Sequence, residues 1–279
     1  MLDPLVADTG LPWVEQDGVL VSVAVWIDGD NGIVSPVPLS WGEFGQTLRA
    51  VHEHPAPTAA RPVRVGIRRW SLPMSLLIAD VDARLAQTSR SADHDHSADV
   101  ADLWQEHRPR LMSLARVERR LKRSRTSVPR VPVHGDPHLG NVVVDGSRRP
   151  WLIDFDEATV APREVDLVLI ELGVIFSAPI TDEQRAEFHD GYGPVDLDRD
   201  RILRFGCVRA IEDATATIQG LIDAAPDDRP DLHLLLAGQF APDGLVSITE
   251  RRLDESAPLV QSPSHTAPIH STDLGGTNR

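Results

Sequence analysis

An α+β fold follows from the order of segments along the 279-residue chain. Two short extended stretches come first, helices follow, a tight hairpin interrupts them near the middle, and further helices close the chain. That order differs from the strict alternation of strand and helix that builds a parallel sheet. Three observations carry it: an Asp-Gly turn between apolar runs at the start, a second turn between VVVD and WLIDF, and helical spacing of apolar residues in between.

The first pair of strands spans 11–15 and 19–27, joined by Gln16-Asp17-Gly18, because Asp-Gly between apolar runs favours a hairpin. Asp28-Gly29-Asp30-Asn31-Gly32 is expected to break the strand. Ser40 can cap a helix from Trp41 to His54, with Glu43 in its first turn and Trp41, Phe44, Leu48 and Val51 on one face. Residues 55–63 are a Pro- and Ala-rich loop; 71–88 and 97–123 are helical, with Ser89 to Asp95 a polar loop between them. Val131 to Val133 is β-prone and leads into HGDPHLGN (134–141); VVVD (142–145) and WLIDF (151–155) then form a hairpin about Asp145-Gly146-Ser147. Glu164 to Phe176 is apolar enough for a buried helix, and two or three helices follow between 181 and 239. After Ser256 the chain is Ser, Pro, Thr and Gly with little apolar content, and disorder is expected there.

Composition removes several classes of function. Lys+Arg is 28 against Asp+Glu 42, a formal charge of −14. An acidic protein lacks the basic surface that nucleic-acid or anionic-lipid binding requires, so neither partner is expected. One cysteine, Cys207, excludes a disulfide framework and a cysteine-based zinc site. Its simplest place is buried, on a helix. No membrane span or signal peptide is legible, and a cytoplasmic location is expected. Oligomeric state is not legible.

The chemistry concentrates in 133–156, which holds His134, Asp136, His138, Asn141, Asp154 and Asp156. A two-stranded hairpin returns the chain to its starting level, so Asp154 is expected near Asn141. Asp136, Asn141 and Asp154 then supply oxygen donors suited to Mg²⁺ shared with substrate phosphates. His-x-Asp-x4-Asn, then a strand and an Asp, is the spacing of a kinase catalytic loop and metal-binding Asp.

HGDPHLGN with IDFD resembles the aminoglycoside phosphotransferase and choline kinase-like family, small-molecule kinases with the protein-kinase fold. Gly135, where a protein kinase has Arg, and the second acid of Asp154-Phe155-Asp156 favour that branch. Weaker likeness runs from about residue 11 to about residue 240. The resemblance implies a kinase-like α+β fold, mainly the helical C-terminal lobe. It implies ATP or GTP and Mg²⁺, and transfer of the γ-phosphoryl group to a hydroxyl of a small molecule. Asp136 becomes the catalytic base, and Asn141 and Asp154 the Mg²⁺ ligands. Val25, Trp26 and Ile27 lie in the hinge whose backbone would hold adenine. His134 packs and hydrogen-bonds within the loop, Asp156 lies near the acceptor or a second metal, and Asp166 braces the loop through its backbone.

The chain departs from the family before the hinge. Only about 20 residues precede it, no G-x-G-x-x-G occurs, and the sole lysine, Lys122, lies far beyond it. Gly135-x4-Gly140 imitates half a Walker motif, with Asn141 where Lys would stand. The expectation is a chain lacking most of the N-terminal lobe: 1–27 a remnant of that lobe with the hinge, 28–255 the C-terminal lobe, 256–279 a disordered tail. Weak ATP binding and inactivity are expected of it.

Two other readings stand beside this one: a degenerate pseudokinase acting as a binding module, and a metal-dependent hydrolase using His134, Asp136 and His138. His94-Asp95-His96 is taken as solvated loop, and the basic run Arg119 to Arg125 as the C-terminal end of a helix. Trp13, Trp41 and Trp104 are core candidates. Residues 181–233 carry 13 acids and 6 arginines. They form either a solvated acidic surface or, as the family resemblance implies, the wall of an acceptor pocket, which would suit a cationic acceptor.

Overall fold

The computed structural model describes residues 14–256 apart from 18, 22, 56–71, 89–93, 124–127 and 176–177. Trp13, much of the first expected strand, the Pro-rich loop and the tail beyond Ser256 lie outside the described residues.

The first turn forms as expected. β1 (Val14–Gln16) and β2 (Val19–Val21) pair antiparallel as a separate two-stranded sheet, with Asp17 in the left-handed region at φ 52°. The expected second strand does not run on to residue 27, because Val23 to Asp28 pairs with no long strand. The stretch expected to break the strand supplies one instead: β3 (Gly29–Asn31) lies antiparallel to β5 (Val142–Asp145). Gly29 crosses so close to the backbone of Val144 that a side chain would not fit there. Tertiary pairing overrides the poor strand propensity of Gly-Asp-Asn. β6 (Pro150–Leu152) completes a sheet of order β3-β5-β6.

α1 (Trp41–Glu53) begins at Ser40, whose Oγ accepts from Glu43 N. Its apolar stripe of Trp41, Phe44, Leu48 and Val51 is buried, as its spacing predicts. α2 (Met74–Thr88) and α3 (His94–Arg123) follow. His94 and Asp95 belong to α3, not to a loop, and His96 lies against the Leu221 carbonyl at 2.8 Å. A first-turn histidine with a buried partner is a tertiary contact that local polarity conceals. The basic run ends α3 as far as Arg123.

β4 (Val131–Val133) pairs with β7 (Thr159–Ala161), closing the segment that carries the functional block. α4 (Glu164–Leu172) is nearly all buried but shorter than expected, because Gly173 turns left-handed at φ 77°. Val174–Ile175 (β8) then pairs with Ala178–Pro179 (β9). α5 (Asp182–Tyr192) starts with a capping box of Thr181 and Gln184. α6 (Arg199–Asp223), α7 (Arg229–Phe240) and α8 (Leu245–Asp254) complete the order.

α6 is the central post of the helical body, packed by α2, α3, α4, α7 and α8. Cys207, Ile211, Ala214, Ile218 and Leu221 on it are fully enclosed. Burial pushes the Cys207 thiol up to about 12, so the only cysteine is inert packing. α1 and α5 form a second tight pair, in which Gly191 packs against the carbonyl of Gly42 with no room for a β-carbon. Phe44, Phe188 and Tyr192 fill that interface.

Candidate active site

Two structural devices set the loop 134–141. The first is Asp166, in the first turn of α4 and almost fully buried. Its Oδ2 accepts from His134 N at 2.7 Å and its Oδ1 from Gly135 N at 2.8 Å. The second is Gly135, left-handed at φ 94° and pressed against the Glu157 carbonyl, where a β-carbon would collide with backbone. Only glycine accepts both the dihedral and the contact.

His134 has no solvent exposure. Its Nε2 lies 2.8 Å from the Ile153 carbonyl, which can only accept, so Nε2 carries the proton. Its Nδ1 then accepts from Asp136 N at 3.3 Å. Both ring nitrogens are engaged by backbone, which leaves neither for a metal. His138 caps the 3-10 turn Leu139–Asn141 by accepting Gly140 N at its Nδ1. That points its Nε2 toward Asp136, 3.5 Å from Oδ2. Among the described residues no group of three His, Cys, Asp or Glu side chains is placed to hold a metal ion.

Asp136 carries a partner that the sequence did not reveal. Arg209, from the middle of α6, places Nη1 2.5 Å from Asp136 Oδ1, and its Nε lies 2.8 Å from Asp213. Burial alone would raise the Asp136 carboxyl, but the hydrogen bond from His138 and the charge of Arg209 outweigh it. They hold Asp136 at about 2. Asp213 moves the other way: burial raises it, with the Arg209 charge opposing. Burial disfavours charged Arg209, yet the carboxylates of Asp213, Asp136 and Glu212 raise it above its ordinary value. No local motif marks Arg209; it sits 73 residues after Asp136, and its one sequence signal is the i,i+4 spacing to Asp213.

Asn141 and Asp154 flank the mouth of the β5–β6 hairpin. Asn141 Nδ2 donates to the Asp136 carbonyl at 2.9 Å, which ties loop and hairpin together. Ile153 N donates to the Asn141 carbonyl at 3.0 Å, so Asp154 is the next residue beyond that backbone pair. Asp154 is exposed and left-handed at φ 59°, and Asp156 is exposed two residues on. The commitment of Asn141 Nδ2 to backbone leaves its Oδ1 as the side-chain atom that could ligate a cation. An exposed carboxylate and an amide oxygen fit a hard divalent cation. A narrow crevice beside Asp136 is floored by Val165, Leu169, Phe205 and Val208 and edged by Arg209 and Glu212.

The residues expected to form the hinge are largely exposed. Trp26 is 86% exposed and Val25 56%, with Ile27 half-buried. Lys122 lies in the last turn of α3, in a groove with Met74 and Met112, and not beside Asp136.

A model of the phosphotransferase enzyme family matches residues 9–203. A probable aminoglycoside 3'-phosphotransferase of Lactococcus lactis subsp. lactis (strain IL1403) is 36% identical over 75 residues, 27% of this chain and 28% of that protein. The matched stretch is therefore under a third of the relative's length. Among solved structures, spectinomycin phosphotransferase in complex with ADP and spectinomycin superposes with a TM-score of 0.71 at 19% identity. That match covers 91% of this chain and 77% of that one. An aminoglycoside phosphotransferase from Alicyclobacillus acidocaldarius gives a TM-score of 0.55 at 16% identity, over 91% and 78% of the two chains. These structures share the α+β, kinase-like fold with this chain. With the family model covering well over half its length, the chain belongs to the phosphotransferase enzyme family.

Proposed function

We propose that the site serves transfer of the γ-phosphoryl group of ATP or GTP to a hydroxyl of a small molecule. The observation that supports it best is the joint placement of Asp136, Asn141 and Asp154 around one loop and one hairpin mouth. Asp136 is ionised throughout the neutral range, because it is held at about 2. It therefore accepts a hydrogen bond from the acceptor hydroxyl and orients the oxygen toward the phosphorus. It takes the proton only as the new P–O bond forms and the bond to the nucleoside diphosphate breaks. Asn141 Oδ1 and Asp154 would hold Mg²⁺, whose charge offsets that of the phosphates when it is bound. Asp166 and Gly135 keep the loop in place. Asp156, exposed beyond Asp154, belongs on the acceptor or second-metal side.

Val25, Trp26 and Ile27 are proposed to hold the nucleotide base through their backbone. The boundary between a nucleotide-side segment ending at residue 27 and the main lobe is part of the same reading. β1 and β2 form their own sheet, while β3 joins the hairpin, which supports it. The Glu212 carboxylate at the edge of the crevice beside Asp136 favours an acceptor with positive charge. A cytoplasmic setting suits such a reaction; no helix among the described residues is long and apolar enough to cross a membrane.

The test is phosphate transfer from ATP and GTP, with Mg²⁺, to a panel of aminosugars, choline and neutral polyols. Asp136→Ala is expected to lower any transfer by about a thousandfold, leaving the fold intact. Equal transfer by the variant would overturn the assignment. A second reading, a binding module without catalysis, is favoured by the position of the sole lysine away from the site. Mg²⁺-dependent nucleotide binding with no transfer to any acceptor would establish that reading instead.

A further inference from the structure

His52 on α1 and Tyr192 on α5 are 140 residues apart and both almost fully buried, yet they meet behind the loop that carries Asp136. The Tyr192 hydroxyl is 2.6 Å from His52 Nδ1. His52 Nε2 is 2.9 Å from Asp166 Oδ2, the same oxygen that accepts from His134 N. A carboxylate already accepting one N–H has no proton to give, so His52 Nε2 must donate. In the singly protonated ring Nδ1 is then an acceptor, and among the described residues its partner is the Tyr192 O–H.

We propose that Tyr192 is a positioning residue: its hydroxyl fixes the His52 tautomer and, through His52 and Asp166, holds the backbone of His134 and Gly135. The chain of donors runs one way, from Tyr192 Oη–H to His52 Nδ1, then from His52 Nε2–H to Asp166 Oδ2. Burial keeps the phenol in its protonated, donating form, with the charges of Arg163 and Arg49 opposing and that of Asp166 assisting. Arg163, just before α4, brings its positive charge near the same phenol oxygen, which favours the phenol proton pointing toward His52. Arg49, one turn before His52 on α1, donates from Nη1 to the Tyr192 carbonyl at 3.1 Å and fixes the end of α5. The close approach at Gly191 is what brings Tyr192 within reach. The packing of α1 on α5 is thereby transmitted to the loop of Asp136 through three side chains, which no contact within the loop itself would do.

The inference rests on the reading of 134–141 as the catalytic loop, but its test needs neither nucleotide nor acceptor. In the full chain, ¹⁵N imidazole shifts at neutral pH are expected to place the His52 proton on Nε2 with Nδ1 bare; a proton on Nδ1, with or without one on Nε2, would overturn the proposal. In Tyr192→Phe, amide exchange at His134 and Gly135 is expected to rise by about tenfold relative to the amides of α6. Unchanged exchange at those two amides in the folded variant, or an equal rise throughout α6, would count against it. Phe188→Leu weakens the same helix pair but leaves the hydroxyl, and is expected to lower Tm without singling out the two amides. If it singles them out as strongly as Tyr192→Phe, packing alone holds the loop. The ¹⁵N measurement on the unaltered chain can overturn the direction of the donor chain even where Tyr192→Phe does not fold. Failure of these arms removes the role of Tyr192, whereas failure of the phosphate-transfer assay removes the catalytic reading and leaves the tautomer result standing.

Discussion

Arg209 closes an ion pair with Asp136 at 2.5 Å, joining the centre of α6 to the loop that begins the functional block. Both side chains are more than four-fifths buried, and the second face of the guanidinium is taken by Asp213. The carboxylate proposed to meet the acceptor hydroxyl is thus pre-charged, and its charge is already compensated when no substrate is present.

A pH dependence follows, with a definite sign. Asp136 ionises near 3.8 unfolded and at about 2 folded, so between those values the unfolded chain binds more protons. Stability from this group is complete above about pH 5 and is lost as pH falls through about 2, in total about 2 kcal/mol. Asp136→Asn is expected to flatten the fall of the urea midpoint between pH 5 and pH 3. An unchanged slope would show that the pair contributes nothing in solution.

Removing the cation should cost more than removing an exposed one. Arg209→Ala leaves Asp136 and Asp213 facing each other without it, and a loss of about 3 kcal/mol in unfolding free energy is expected. The same variant should raise the Asp136 titration midpoint toward its ordinary value, read by ¹³C carboxyl shifts. A midpoint that stays near 2 would mean that His138 alone holds it.

The two ion pairs of Arg201 and Arg185 offer a clean contrast. Arg201 pairs with Glu164, which is 3% exposed and has a second carboxylate oxygen without a hydrogen bond. Arg185 pairs with Asp182, whose side chain is 96% exposed. Chemical denaturation of Arg201→Ala should show a loss of about 3 kcal/mol. Arg185→Ala should change by less than about 0.5 kcal/mol.

Gly191→Ala would force a methyl group into the Gly42 carbonyl, and backbone cannot yield as a flexible side chain does. A destabilisation of about 2–3 kcal/mol is expected, offset in small part by the better helix propensity of alanine. Gly146→Ala, at a turn with open space around the added carbon, should be neutral within about 0.5 kcal/mol. Equal effects at the two positions would contradict the close approach of α1 and α5.

Much of this architecture could be seen in the chain itself. Ser40 with the stripe of Trp41, Phe44, Leu48 and Val51 defined α1 to within a residue. The turn at Asp145-Gly146-Ser147 defined the β5–β6 hairpin, and with it the neighbourhood of Asn141 and Asp154. Both are local signals, in which periodicity or turn chemistry lies within a dozen residues. Where local signals conflicted with distant partners, the distant partners prevailed. Gly29–Asn31 became a strand because β5 lies beside it, and His94-Asp95-His96 became helix with α6 beside it. The helix expected to reach Phe176 ended at Leu172, although Gly173 was in plain view as a stop signal.

Spacing within 134–156 alone singled out the residues proposed to carry the chemistry, since that unit is contiguous and its return is set by one hairpin. Family resemblance already pointed to Asp166 as the brace under His134 and Gly135; tertiary structure alone decided Arg209 on Asp136 and Tyr192 behind His52. Each of these two partners arrives from another helix, 73 and 140 residues away in sequence. Helix packing places side chains by the fit of whole surfaces, and that fit leaves no periodic trace near the residue it positions.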